Sequence, residues 1–440
     1  MYPRVMWLAG DIDEAPAPWM LGQLALGQGA ILSWDDEARP WSVAKALRQL
    51  HPEMTLLAYI RGSFWPDRRD QSREGAPHRN AVLDLLQDKA MWSHGDDGQR
   101  IRPFGTGEAL LSGAGVGELA QYVAATWDGT IWDGVHLDVM TPEWWHLGAP
   151  RAVSEELLPA MQEMATLLDA AGITVQGNGA WAPPATDFGG RSPYWGLIDG
   201  CFAERWPSYP WYALDGARRP AIDEAYAWHM SLAQMWQEAG ATLYTMHAEG
   251  LDQQGYFGQW VKSDRQGARF VLANSLLAGC WFTPPERSTP FVIDEMFVTD
   301  GATSWSREGI GWLGQPVSPA IWDGPSQMWV RVFQRGLAVV NPGTTAQQIT
   351  LDAGVYRRIN GMFDRPVNDG SPVRTLEVGA MDAAVLWRVG EALEAPVEDG
   401  DRMALVERRL EAMDRDLERA ERRLERMERG LNALFQALAE

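Results

Sequence analysis

Two cysteines are all that 440 residues contain, so no disulfide framework can be drawn. Cys201 and Cys280 each lie inside an apolar run and read as buried thiols. Positive charge is also scarce: 38 Lys and Arg stand against 59 Asp and Glu, a formal net charge of -21, and no basic run accompanies the aromatics. Nucleic acid and anionic membrane are therefore excluded as expected partners, and a neutral or cationic ligand is favoured. No uninterrupted apolar stretch approaches the length of a membrane span. Met1 to Gly10 lack a basic region, an apolar core and a cleavage site, so no export signal is read and the expected location is the cytoplasm of the producing cell. There is no H-E-x-x-H pair and no phosphate-cradling loop, and Gly113-Ala-Gly115-Val-Gly117 reads as a helix-entry turn because no strand-like run precedes it. No cofactor is expected.

What the chain has in abundance is tryptophan, 23 in all, with Trp34, Trp65, Trp181, Trp206 and Trp281 beside the ends of strand-like runs. Indole fills large cores, and its flat face also stacks on the C–H face of a sugar ring while its N–H donates to a hydroxyl. As a set at strand tips these residues favour a saccharide ligand.

Apolar content of 46% and charged content of 22% describe a folded protein, and 440 residues are too many for one ordinary core. Short apolar runs recur at Val5 to Gly10, Ala30 to Trp34, Thr55 to Arg61, Gly134 to Val139, Ile173 to Gly177, Gly200 to Glu204, Thr242 to His247 and Gly279 to Phe282. Helical spacing of apolar residues separates them at Val43 to Leu50, Glu118 to Trp127, Ser154 to Ala171 and Ile222 to Ala239, with Gly172 and Gly240 where helices would end. The fold class expected is α/β, a (β/α)8 TIM barrel over residues 1–290. The connection from Gly62 to Asp133 is far longer than the others, and long βα loops usually shape a barrel's site.

After Pro284 the pattern becomes short strands broken by Gly, Pro, Asn and Asp, at Met328 to Phe333, Leu337 to Asn341, Gln348 to Leu351, Val355 to Ile359, Arg374 to Val378 and Ala384 to Val389. Residues 291–390 are expected to form a small antiparallel β-sandwich, followed by a linker over 391–402. From Met403 to Leu438 apolar residues alternate at spacings of three and four without a break, which specifies a coiled coil over 403–440. Self-association through this segment follows; Leu alternating with Met and Ala leaves the strand number open, with a trimer favoured.

The chemistry-bearing motif is the Asp-Gly-x-x-x-acid spelling, which occurs as Asp133-Gly134-Val135-His136-Leu137-Asp138 and as Asp199-Gly200-Cys201-Phe202-Ala203-Glu204. Alternation along a strand puts Asp138 on the face of His136 and Glu204 on the face of Phe202, both acids at C-terminal strand tips. In one closed barrel they converge where such barrels carry their chemistry, and two facing carboxylates are the minimal apparatus of glycoside hydrolysis. Further candidates for binding sugar hydroxyls are Asp11 and Asp13 after the first run, Trp34 and Asp35 after the second, Tyr59 and Arg61 in the third, His136 in the fourth, Asn178 and Trp181 after the fifth, Trp206 after the sixth, His247 and Glu249 after the seventh, and Trp281 in the eighth. For each, a helix cap or a loop ion pair is the structural alternative. A rival metal site would draw on Asp11, Asp13, His136, Asp138, His247 and Glu249, but few histidines support it.

The segments Met91-Trp92 to Arg102 with its Asp97-Gly98 turn, Trp132-Asp133-Gly134-Val135-His136-Leu137-Asp138, the acid block ending in Glu204, and Arg331-Val332-Phe333 through Gly336 to Asn341-Pro342 occur in an order that resembles a family of bacterial glycoside-hydrolase-like barrels with a β-domain behind. The resemblance extends distantly to α-galactosidase and endo-polygalactosaminidase barrels and covers about residues 1 to 390. It implies that Asp138 is the nucleophile and Glu204 the proton donor. The function expected is hydrolysis of a polysaccharide or oligosaccharide. The alternative is a non-catalytic carbohydrate-binding or structural component of a phage tail or other surface assembly, multimerised by the coil for avidity.

Overall fold

The computed structural model describes residues 2–9, 18–34, 43–66, 77–102, 108–141, 149–180, 192–204, 206, 222–238, 240–248, 261–285, 291–297, 311–352 and 355–393. Eight parallel strands form one sheet in chain order: β1 Met6–Ala9, β2 Gly29–Ser33, β3 Thr55–Arg61, β4 Gly134–Asp138, β5 Thr174–Asn178, β6 Gly200–Ala203, β7 Thr245–His247 and β8 Trp281–Thr283. A parallel bridge between Val5 and Phe282 joins the last strand to the first, with the Phe282 N–H donating to the Arg4 carbonyl at 2.9 Å. The result is a nearly closed α/β barrel, and all eight apolar runs supply its staves. Such strands are buried on both faces, which is why they read as short continuous apolar runs rather than as alternating ones.

The Asp-Gly pairs hold the bottom of the barrel. Asp133 donates its N–H to the Leu56 carbonyl at 2.9 Å and accepts the Leu56 N–H on its side chain at 2.8 Å. Asp199 does the same to Val175, at 2.8 Å for each bond. Each glycine then lies against the strand on the other side: a Cβ on Gly134 would stand 2.4 Å from the Thr174 carbonyl oxygen, and one on Gly200 would stand 2.4 Å from the Leu243 carbonyl carbon. The repeated dipeptide thus sets the spacing between neighbouring staves, while the acid four residues after each glycine, Asp138 or Glu204, reaches the mouth. Replacing Asp199 by Ala orphans the N–H of buried Val175 and is expected to lower stability by about 1–3 kcal/mol. Urea unfolding measures this, and an unchanged midpoint would remove the clamp from the account.

Helices Val43–Leu50, Gly113–Thr126, Arg151–Ala170, Ile222–Glu238 and Asp264–Ala278 cover the barrel. The second begins five residues earlier than its apolar spacing suggests. Ser112 caps it by accepting the Gly115 N–H at 3.2 Å, and a Cβ on Gly115 would stand 2.2 Å from the Met91 carbonyl oxygen. The glycine-rich stretch is therefore the helix's first turn, with Gly115 packed against neighbouring backbone. Gly172 and Gly240 end their helices with φ of 80° and 79°.

The long β3–β4 connection contains a short antiparallel pair, Phe64–Pro66 with Glu108–Leu110, and a helix, Pro77–Leu85. Alternation along the sequence did not reveal that pair, because each arm is three residues long.

Behind the barrel, six strands make an antiparallel sheet in the order Ile321–Asp323, Met328–Phe333, Gly336–Asn341, Asp382–Arg388, Tyr356–Arg358, Pro372–Val373, and Gln347–Thr350 pairs with Thr375–Val378. Leu337 and Val339 face the pair of strands, whereas Ala338 and Val340 join the barrel's core, so Gly336–Asn341 is buried along its whole length. Helix Asp264–Ala278 lies between, buried without a break from Gly267 to Leu277. The coiled-coil segment 403–440 lies outside the described residues, as does most of the linker.

Candidate functional site

At the C-terminal mouth of the barrel one side chain joins the two acids. Asn178, the last residue of β5, donates its amide Nδ2 to Asp138 Oδ1 at 2.8 Å and to Glu204 Oε2 at 3.0 Å. Asp138 ends β4, and Glu204 follows β6. The three strands are consecutive in the sheet, so three side chains at the same height point into one mouth. Asp138 also accepts the Tyr59 hydroxyl on Oδ2 at 2.5 Å and the Val139 N–H on Oδ1 at 2.9 Å. Three donors thus fix the orientation of one carboxylate. The Tyr59 phenol is pushed far up by burial and then by the Asp138 charge, so it remains a donor at every physiological pH.

Val139 adopts φ of 55°, a left-handed backbone that a β-branched residue rarely takes. That turn directs its N–H back onto the side chain of its predecessor, and the Ser63 hydroxyl holds its carbonyl at 3.0 Å. Strain of this kind persists where the surroundings over-determine it.

Beneath the acids lies a fully buried layer. His136 stacks at 5.7 Å from Tyr59 and meets Phe202 edge-on at 5.0 Å, and Phe202 lies 5.2 Å from His247. Gln176 Nε2 donates to the Leu243 carbonyl and to Thr245 Oγ1, leaving its Oε1 toward His136 Nδ1 at 2.8 Å. His136 Nδ1 therefore carries the proton in that bond. Burial pushes the imidazole below its ordinary value, against the pull of Asp138, so His136 is neutral and supports Tyr59 from below. By contrast Tyr59, Arg61, Asp138, Asn178 and Glu204 are only half-buried.

Arg61 ends β3 in register with Asp138, yet its Nε lies 2.9 Å from Glu108 Oε1 on the antiparallel pair of the long connection. Glu108 is the residue at this mouth that sequence reasoning missed, and its neighbours in the chain carry no motif that marks it.

The described tryptophans stand elsewhere. Trp34 is 3% exposed, stacked on His78 at 4.1 Å with Tyr122 against its edge. Trp206 is fully buried among Tyr226, His229 and Phe270, between barrel and helices. Neither offers a face to a sugar ring, and both correct the expectation of stacking at the mouth. Trp281 points inward but from the first position of β8, where it plugs the floor with Met6, Ile31, Leu57 and Leu243. Asp11, Asp13, Asp35, Trp181 and Glu249 lie outside the described residues, and with them three of the six groups of the rival metal site. Among the described residues no three His, Cys, Asp or Glu are grouped to hold a metal ion, and no helix is long and apolar enough to cross a membrane.

Neither a protein-family model nor a curated protein matches the chain. Solved structures similar to it include an isomaltulose synthase from Klebsiella sp. LX3, at 10% identity over 88% of this chain and 100% of that one with a TM-score of 0.49. An α-amylase from Lactobacillus plantarum follows at 12% identity, 88% and 99% coverage and a TM-score of 0.48, and a debranching enzyme from Nostoc punctiforme at 11%, 87%, 98% and 0.43. Likeness of that degree carries no argument about activity, and the barrel stands on its own strand order.

Proposed function

We propose that the protein is a glycoside hydrolase that cleaves a polysaccharide or oligosaccharide with retention at the anomeric carbon. The observation that carries this reading is the Asn178 amide nitrogen bonded to both Asp138 and Glu204. It keeps the two bonded oxygens within about 6 Å, near the ~5–5.5 Å of retaining pairs and short of the roughly 6.5–9.5 Å that admits a water between inverting ones.

Asp138, oriented by Tyr59, Asn178 and the Val139 N–H, attacks the anomeric carbon and forms a glycosyl ester. Glu204 gives its proton to the departing glycosidic oxygen, then takes one from the water that hydrolyses the ester. The Asn178 amide belongs to both halves of the cycle, since it orients nucleophile and acid together. Arg61 is proposed to meet sugar hydroxyls at the rim, whereas His247, fully buried beneath the acids, packs on Phe202 and belongs to the barrel's interior rather than to the ligand surface. Self-association through 403–440 and a place in a surface assembly such as a phage tail are proposals from the heptad pattern, which gives a polymer-active barrel avidity.

The stereochemical outcome tests the mechanism. A panel of oligosaccharides identifies a cleaved substrate, and proton NMR in the first minutes of its hydrolysis is expected to show product of the same anomeric configuration. Initial release of the opposite anomer would reject Asp138 as a nucleophile and make it a base acting through water.

A further inference from the structure

Arg61 and Asp138 are direct neighbours across the β3–β4 ladder, so their side chains leave adjacent strands on the same face of the barrel. A guanidinium beside an ionised carboxylate ordinarily closes into a bidentate pair. Here it does not. The Arg61 Nε lies 2.9 Å from Glu108 Oε1, the guanidinium carbon stands 5.9 Å from the centre of the Tyr59 ring, and Glu108 is its carboxylate partner among the described residues. Asp138 instead takes the neutral Tyr59 hydroxyl. Glu108 reaches the mouth because its three-residue arm pairs with Phe64–Pro66, immediately beyond the end of β3.

We infer that Glu108 is a positioning residue of the active site: it holds the Arg61 guanidinium off Asp138, leaving that carboxylate to react and the Arg61 amino groups to meet the substrate. The inference rests on the glycosidase reading for its catalytic consequence and on geometry alone for its structural one. A cation bonded directly to the nucleophile would draw off the charge that attacks the anomeric carbon, and Tyr59 would lose its acceptor. The long β3–β4 connection then has a chemical task, keeping the strongest local cation at the rim.

The test is Glu108→Gln, which keeps the size of the side chain and removes its charge. Its crystal structure is expected to show Arg61 closed onto Asp138, and its kcat to fall on the order of 100-fold, the scale of an ångström-level misplacement at a reacting centre. Adding Arg61→Gln removes the intruding cation, so the double variant is expected to recover most of kcat while KM stays raised through loss of the rim contact. A merely structural role for Glu108 would give no such rescue. Arg61 remaining off Asp138 in Glu108→Gln would overturn the inference, as would full kcat in that variant or failure of the second substitution to restore it. If the wild-type protein cleaves no glycoside, the proposed function falls, while the position of Arg61 in the variant still decides this inference.

Discussion

Asp138→Asn is expected to abolish hydrolysis while leaving the barrel folded. Asparagine keeps an oxygen for the Asn178 amide and the Val139 N–H, and its own amide meets Tyr59, whose hydroxyl then turns from donor to acceptor. The change therefore removes charge and nucleophilicity without orphaning a buried group. Glu204→Gln removes the proposed proton donor, and its loss is expected to be roughly 10²–10⁴-fold, the usual contribution of a positioned general acid. The two variants separate by leaving group. An aryl glycoside that departs without protonation is expected to restore ester formation in Glu204→Gln and to do nothing for Asp138→Asn. Combining the substitutions is expected to cost little more than Asp138→Asn alone, because residues of one catalytic unit are not additive. Near wild-type turnover in either variant on a natural substrate would sink the assignment.

The site was partly legible because strand parity is a strong constraint. Once Gly134–Asp138 and Gly200–Ala203 are strands, Asp138 and Glu204 must rise on the faces of His136 and Phe202, and both do. Parity also tells against Trp34: Ile31 faces the barrel interior, so a residue three positions on faces the helices, where Trp34 meets His78 and Tyr122. It fails beyond a strand's end. Trp206 would face inward by counting, but the chain turns after Glu204 and inserts it beside Phe270. It is also blind to height, since Trp281 has the inward parity of a mouth residue and lies at the floor. The role of Asn178 was visible only as a polar residue after a strand; its bonds to both acids depend on the order β4, β5, β6, which no local pattern encodes. Glu108 was invisible for a similar reason. Its partner strand lies some forty residues earlier, and three-residue arms are too short to alternate.

The largest stability effect is expected from Arg269→Met, far from the mouth. Arg269 is 3% exposed at the seam between helix Asp264–Ala278 and the β-domain. Its Nε and Nη2 grip Asp382 at 3.0 and 2.9 Å, its Nη1 reaches Asp364 at 2.6 Å, and Glu295 lies 4.0 Å away. One guanidinium thus serves three carboxylates. Burial pushes Asp382 and Glu295 above the ordinary carboxylate range even with Arg269 present, and Arg269 is the main influence opposing that rise. Methionine fills the same space but leaves these acids buried without a counter-charge, a loss of about 3–5 kcal/mol at neutral pH. The loss has a direction in pH. A carboxyl whose folded value exceeds its unfolded one, ordinarily about 4, contributes stability that is complete below the unfolded value and disappears as pH rises through the folded value. Without Arg269 the folded values of Asp382 and Glu295 rise further, so the deficit of the variant is expected to be largest at neutral pH and to shrink as pH falls toward the carboxylate range. Denaturant unfolding of both proteins at a series of pH values measures the difference, and adding Asp382→Asn is expected to recover part of it at pH 7. A deficit below about 1 kcal/mol, the scale of an exposed ion pair, or one that stays flat with pH, would show that this seam is held by the apolar contacts around Arg269 rather than by its charge.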